Sequence, residues 1–302
     1  MTRTSFKVAA AAYPLDRFAT WADYAAKLSR WVETAAAQGA DLLVFPEYGA
    51  MELASLGGAD VASDLQGCLA EVDRHRAAMG DLYTQLAARH GVHILSASGP
   101  AFIGARPVNR ASLFTPEGLA GHQDKAIMTR FEREDWHVAP GQGLSVFDTD
   151  LGRLGVLICY DGEFPLLGRA LMEAGVEVLL VPSATETLAG FTRVRVGAMA
   201  RALEGQCVAV HAPVVGLAPW CAGMEENTGR ASVYGPPDRG FPATGILAEG
   251  EMNVPGWVYA EVDRAAIAEV RRDGGVLNHA HWPEQQDRRT LTRHDVKSSQ
   301  NA

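Results

Sequence analysis

Gly155-Val156-Leu157-Ile158-Cys159-Tyr160-Asp161-Gly162-Glu163-Phe164-Pro165 is an apolar run that ends on a cysteine, turns through a polar corner and reaches a proline. The apolar part reads as a buried strand, and residues 166–174 as the helix that follows. A strand-to-helix corner exposes the side chain at its apex and aims the following backbone N–H groups at whatever that side chain attacks. Cys159 is therefore a candidate nucleophile. Taken alone, a cysteine at a strand end is more often a small buried hydrophobe.

Outward from this corner, short β-rich apolar runs alternate with longer segments of helical period, the pattern of an α/β protein. Strands are predicted at 6–12, 42–45, 92–96, 144–147, 154–159, 176–181, 208–211, 231–234 and 257–262. Helices are predicted at 22–38, 72–90, 166–174 and 192–204. In the first helix Tyr24, Leu28, Trp31, Val32 and Ala35 share a face, and Gly39 ends it. Residues 111–114 and 119–122 flank Thr115-Pro116-Glu117-Gly118, whose Pro-x-Gly order predicts a hairpin. No low-complexity linker divides the chain, so one domain with two sheets packed between helices is expected. The last forty or so residues are polar and rich in Arg and His, and read as an arm over the surface or a neighbouring subunit.

With 302 residues, 47% hydrophobic and 21% charged, the chain can bury a sizeable core. A formal charge of −9 argues against nucleic acid or an anionic membrane as partner. No apolar run approaches the roughly 20 residues that span a bilayer, and residues 8–12 are cut off too soon by Pro14 for a secretory signal. Cys68, Cys159, Cys207 and Cys221 contain no CxxC pair, so reduced thiols and a cytoplasmic location are expected.

Two further residues carry chemistry. Glu47 follows residues 42–45 through Pro46, and a carboxylate placed straight after a buried strand has its pKa raised by desolvation towards the range of a general base. Lys125 follows the second hairpin strand in Gly121-His122-Gln123-Asp124-Lys125-Ala126. Each alone reads as a loop or surface charge. Together they place three sparse chemical residues at the exits of buried strands, where α/β folds gather their sites.

Phe45-Pro46-Glu47, Asp124-Lys125 after a hairpin, and Cys159-Tyr160-Asp161-x-Glu163-Phe164-Pro165 resemble the three signature blocks of the nitrilase superfamily of carbon-nitrogen hydrolases. The resemblance runs from residue 6 to about residue 282, giving a hydrolase domain at 1–282 and a C-terminal arm at 283–302. It implies a four-layer αββα sandwich and a thioester mechanism. Cys159 would be the nucleophile, Glu47 the general base and Lys125 the stabiliser of the oxyanion, with no metal or organic cofactor. It also implies a second glutamate shortly after the lysine. Glu132 and Glu134 are both candidates, and Glu134 is preferred.

Cys159-Tyr160-Asp161 is similar to the amide-cleaving branches and points to an amidase on a small-molecule linear amide. A nitrilase, an N-carbamoyl amide hydrolase or a non-catalytic binding module of the same fold stand as alternatives. Tyr160 and Glu163 are candidate substrate-binding residues; Glu163 would disfavour an anionic substrate and attract an amine, unless it pairs with Arg169. Arg193, Arg195 and Arg201 read as structural ion-pair partners. His279 and His281 lie two apart but have no acidic or Cys partner nearby, so a metal site is not expected. The resemblance further implies at least a homodimer, with the arm beyond Arg264 reaching across it.

Overall fold

Strand β1 (Ser5–Pro14) shows how the layers arise. Successive side chains of a strand point to opposite faces. Phe6, Val8, Ala10 and Ala12 enter one apolar core with Leu42, Val44, Leu113, Leu154 and Val156, while Ala9, Ala11 and Tyr13 enter another with Tyr24, Leu28, Val32 and Tyr83. The first core lies between two sheets, and the second under a helical layer.

The computed structural model describes residues 3–294. In chain order β1 is followed by α1 (Trp21–Ala37), β2 (Leu42–Val44), a 3-10 segment at Gly49–Gly57, α2 (Ala59–Ala62), α3 (Leu65–His90), β3 (His93–Leu95), β4 (Gly99–Phe102), β5 (Pro107–Thr115), β6 (Gly118–Asp124) and α4 (Arg130–Glu134). The second half comprises β7 (Val146–Thr149), β8 (Gly152–Val156), a 3-10 turn at Cys159–Glu163, α5 (Pro165–Glu173), β9 (Val178–Ser183), α6 (Leu188–Gly205) and β10 (Val208–Leu217). It ends with β11 (Glu226–Asn227), β12 (Ser232–Tyr234), β13 (Ile246–Glu249), β14 (Gly256–Asp263), α7 (Arg264–Asp273), α8 (Asn278–His281) and a 3-10 turn at Trp282–Arg288.

One sheet runs β6, β5, then β3 and β4 side by side on the far edge of β5, β2, β1 and β14. The other runs β7, β8, β9, β10, β12 and β13. Among the described residues their strands join where the end of β1 pairs with β10, Tyr13 with Val214 and Pro14 with Val215. Helices α1 and α3 cover the first sheet, and α5 and α6 the second. The architecture is a four-layer αββα sandwich, as the resemblance implied. Following the pairings, β2, β6, β8 and β9 all run in one direction. Their carboxyl ends therefore meet on one side of the molecule.

The hairpin forms as read, with Ser112 opposite His122 and Thr115 opposite Gly118. Helix α3 begins at Leu65 rather than 72, because Asp64 caps it by accepting from the Gly67 N–H. The arm expectation needs correction from Arg264 onward. Residues 264–273 form a helix docked on their own chain, with Ile267 and Val270 buried and Arg271 donating to the carbonyls of Gly205, Gln206 and Val176. Of the expected arm at 283–302, residues 283–294 are exposed and 295–302 lie outside the described residues. Among the described residues no helix is long and apolar enough to cross a membrane.

Candidate active site

Glu47 sits three residues beyond β2 and is 1% exposed. Its Oε1 accepts from Lys125 Nζ at 2.7 Å and from Asn109 Nδ2 at 3.0 Å, and its Oε2 accepts from the Ala184 N–H at 2.9 Å. Ala184 follows β9 in the other sheet, so this carboxylate bridges the two halves. Burial pushes Glu47 up, Lys125 opposes and Glu132 adds to the rise, leaving it at about 7, near the value a base needs at neutral pH.

Lys125 Nζ also donates to Glu132 Oε2 at 2.6 Å. Burial works against its ammonium, but Glu132 and Glu47 outweigh burial and hold it well above the usual lysine range. Two of its three N–H donors are thereby engaged, and one is left for a third acceptor. Glu132 feels the converse: burial raises it, Lys125 opposes, and the net shift is downward, so it stays ionised. Tyr48 donates to Glu132 Oε1 at 2.8 Å, and Ser98 Oγ donates to Asn109 Oδ1 at 2.6 Å while accepting from the Tyr48 N–H.

Cys159 stands at the apex of the predicted corner with φ 50°, a left-handed conformation that residues with a Cβ seldom adopt. Asp161 anchors the corner by accepting from the N–H groups of Ala126, Ile127 and Ile158, tying it to the segment just after Lys125. The Cys159 thiol points to the Ala184 carbonyl at 3.8 Å. Burial and the Glu47 carboxylate push the thiol well above its ordinary pKa against the pull of Lys125, so it rests protonated and needs a base to become a nucleophile.

Glu47, Lys125, Glu132, Cys159, Tyr160 and Glu163 all line one cavity of about 810 Å³. The chain matches the family model described as Carbon-nitrogen hydrolase over residues 7–272. It belongs to the carbon-nitrogen hydrolase family. Among its relatives is a probable hydrolase of Bacillus subtilis, 29% identical over 266 residues, covering 87% of this chain and 51% of the relative. The chain thus spans about half the length of that protein. It is also 26% identical to an omega-amidase of Danio rerio over 83% of this chain and 86% of that one. A crystal structure from Saccharomyces cerevisiae, a member of branch 10 of the nitrilase superfamily, superposes with a TM-score of 0.71 at 20% identity, covering 96% of this chain and 98% of that one.

In this carbon-nitrogen hydrolase the preference between the two glutamates has to be reversed. Glu134 is exposed and pairs with Arg130, whereas Glu132 is buried against Lys125. The deciding signal is local and present in the sequence: Thr129-x-x-Glu132 is a capping box, with Thr129 Oγ1 accepting from the Glu132 N–H and Glu132 Oε2 accepting from the Thr129 N–H. A capping box folds the N3 carboxylate back over the helix N-terminus, which here faces Lys125.

Glu163 does not pair with Arg169, which binds Glu173 instead; it forms an ion pair with Arg193 at 3.6 Å, as expected of that arginine. Arg195 and Arg201 do form ion pairs, with Glu249 and Glu204 respectively. His279 docks on the hydrolase's own surface, its N–H donating to Gln206 Oε1 and its carbonyl accepting from Arg169. Asn109, Tyr48 and the Ala184 backbone carry no local signal of their roles, since each acts on a residue distant in sequence.

Proposed function

We propose that this carbon-nitrogen hydrolase cleaves a small-molecule linear amide through a thioester on Cys159. The observation that carries the reading is the Glu47 carboxylate, held near neutrality by burial and gripped on one side by Lys125 and on the other by the backbone that also receives the Cys159 thiol. Glu47 takes the thiol proton as sulfur adds to the amide carbonyl carbon. The carbonyl electron pair moves onto oxygen, where the remaining Lys125 donor and the Tyr160 N–H hold it. Collapse of this adduct re-forms the carbonyl and breaks the C–N bond, and the nitrogen leaves as ammonia or an amine with the proton from Glu47.

Water then gives a proton to Glu47 and adds to the thioester. Collapse expels the Cys159 sulfur, which recovers that proton, and a carboxylic acid departs. The Danio rerio relative, an omega-amidase, supports an amide over a nitrile. A homo-oligomer is part of the proposal: Leu166 on α5 and Val196 and Leu203 on α6 leave apolar surface on the outer helix layer.

Cys159→Ala is expected to lose hydrolysis to below about 1% of the parent, because covalent catalysis does not survive loss of the nucleophile. With the parent enzyme and a productive amide, hydroxylamine should divert the acyl group into a hydroxamate. In Glu47→Gln, whose water is no longer activated, intact-protein mass spectrometry should find one acyl adduct, mapped to Cys159. A productive substrate that yields neither hydroxamate nor adduct would show direct attack by water and end the thioester reading.

A further inference from the structure

The two oxygens of the Glu47 carboxylate are not equivalent. Oε1 accepts from Lys125 Nζ at 2.7 Å and from Asn109 Nδ2 at 3.0 Å, whereas among the described residues Oε2 accepts from the Ala184 N–H alone, at 2.9 Å. A carboxylate oxygen has about two lone-pair directions, so Oε1 is filled and Oε2 keeps one free. Ala184 also turns its carbonyl to the Cys159 thiol at 3.8 Å. The oxygen with room for a proton is therefore the one beside the backbone that the nucleophile meets.

Asn109 has no part in the reaction steps above, yet it is fully buried beside them. It lies on β5, and its carbonyl accepts from the Lys125 N–H at 2.9 Å, so both donors to Oε1 come from residues that are hydrogen-bonded to each other. Its Nδ2 also lies 3.5 Å from Glu132 Oε1, between the two carboxylates. Its Oδ1 accepts from Ser98 Oγ at 2.6 Å, and Ser98, equally buried, accepts in turn from the Tyr48 N–H at 3.0 Å. These partners fix the sense of the amide, because a flipped amide would set its oxygen against two carboxylates.

We propose that Asn109, oriented by Ser98, is a positioning residue that keeps Glu47 Oε1 occupied and so reserves Oε2 for the proton in both halves of the reaction. This rests on the amide-hydrolase reading and specifies how its base is held. The Cys159 proton goes to Oε2 and leaves from there with the departing nitrogen, and the proton from water arrives at the same atom. Without Asn109, Oε1 gains a free lone pair on the side turned to Lys125 and Glu132. A proton taken there cannot be handed to the nitrogen or the sulfur, so it forms a dead-end state that fills as pH falls. Loss of a donor to the ionised carboxylate also favours its protonated form.

Three variants test this. Asn109→Ala removes the donor, Asn109→Asp keeps the shape but sets another carboxylate beside Glu47, and Ser98→Ala frees the amide without touching Glu47. The ionisable groups facing Glu47 are Lys125, Glu132, Cys159 and Tyr48, and all stay in place. kcat should fall about ten-fold in Asn109→Ala and on the order of 10² in Asn109→Asp, with KM within about three-fold, because Asn109 acts through the base rather than on the substrate. The acid limb of kcat/KM against pH should move up in Asn109→Ala, further in Asn109→Asp, and least in Ser98→Ala. A merely structural role would lower stability without moving that limb. The pH dependence of Cys159 alkylation by iodoacetamide, mapped by mass spectrometry, reads the same base without turnover, and its acid limb should move in the same order. If Asn109→Asp does not fold, the other two variants carry the test. A parent that hydrolyses amides, with acid limbs unmoved in Asn109→Ala and Ser98→Ala, overturns the positioning proposal and leaves the hydrolase reading standing. A parent that hydrolyses no amide, with an alkylation limb that still moves in Asn109→Ala, removes the hydrolase reading alone.

Discussion

Glu132 and Glu134 are two residues apart and chemically identical, yet their environments assign them different work. On a helix two positions rotate the side chain by roughly 200°, so only one can face Lys125. Glu132 is buried and accepts from Lys125, Thr129 and Tyr48, while Glu134 is half in water beside Arg130. Glu132→Gln removes a buried negative charge that holds the ammonium in place, and Lys125 then leans on Glu47 alone. kcat should fall on the order of 10², with a smaller change in KM, because the lysine acts mainly on charge developed in the transition state. Glu134→Gln loses only an exposed, solvent-screened pair and should stay within about two-fold of the parent. Steady-state kinetics of the two variants side by side check this; equal effects would mean that the burial difference has no catalytic meaning.

Helix α6 packs behind the cysteine corner, and a glycine sets the distance. A Cβ at Gly197 would stand 2.7 Å from the Gly162 carbonyl oxygen and 3.0 Å from its carbon, contacts with backbone that no rotamer change relieves. Gly197→Ala should therefore displace the corner carrying Cys159 even though alanine is the better helix former. A shift of a few tenths of an ångström at a nucleophile costs rate steeply, so kcat should drop by about ten-fold or more while far-UV helix content holds. Gly80→Ala in α3 is the control: its Cβ meets nothing nearer than Phe114 Cζ at 3.9 Å. There alanine should raise stability by about 0.5–1 kcal/mol with activity intact. A Gly197→Ala enzyme with parent kinetics would show that the helix yields without moving the corner.

Across the whole molecule, the second sheet holds a neutral histidine under the site. His211 is fully buried, exchanges a hydrogen bond with Ser183 Oγ at 2.8 Å, stacks on Phe191, and has no partner at Nδ1. Ser183 immediately precedes Ala184, whose backbone meets both Glu47 and Cys159. Burial, with Arg195 adding to it, pushes His211 down to about 3. The unfolded chain binds a proton there below pH about 6.5 while the folded chain does not until about 3, so stability falls as pH drops through that window. Between pH 6.5 and 5 this amounts to about 2 kcal/mol. His211→Gln has no proton to bind, so its urea-unfolding free energy should lose about that much less over the same interval. Parallel pH dependences for the parent and the variant would rule the linkage out.

The α/β class, the hairpin, most strands and helices, and Glu47, Lys125 and Cys159 as candidates could be read from the sequence, because each is announced by neighbours along the chain. Apolar runs, Pro46, the Pro-x-Gly turn and the glycine-containing corner act locally. Helix α7 is not announced by the sequence, because only Ile267 and Val270 of its ten residues are buried, a stripe too narrow to stand out in a polar segment. Glu132 is marked in the sequence by its capping box, although Glu134 two residues on is chemically identical. The tertiary structure alone decided that Asn109 and the Ala184 N–H grip Glu47, that Glu163 faces Arg193, and that Gly197 lets α6 approach the corner. Those contacts join segments far apart in sequence, brought together when two mixed sheets aim the carboxyl ends of β2, β6, β8 and β9 at one place, and no periodicity along the chain records which distant groups will meet there.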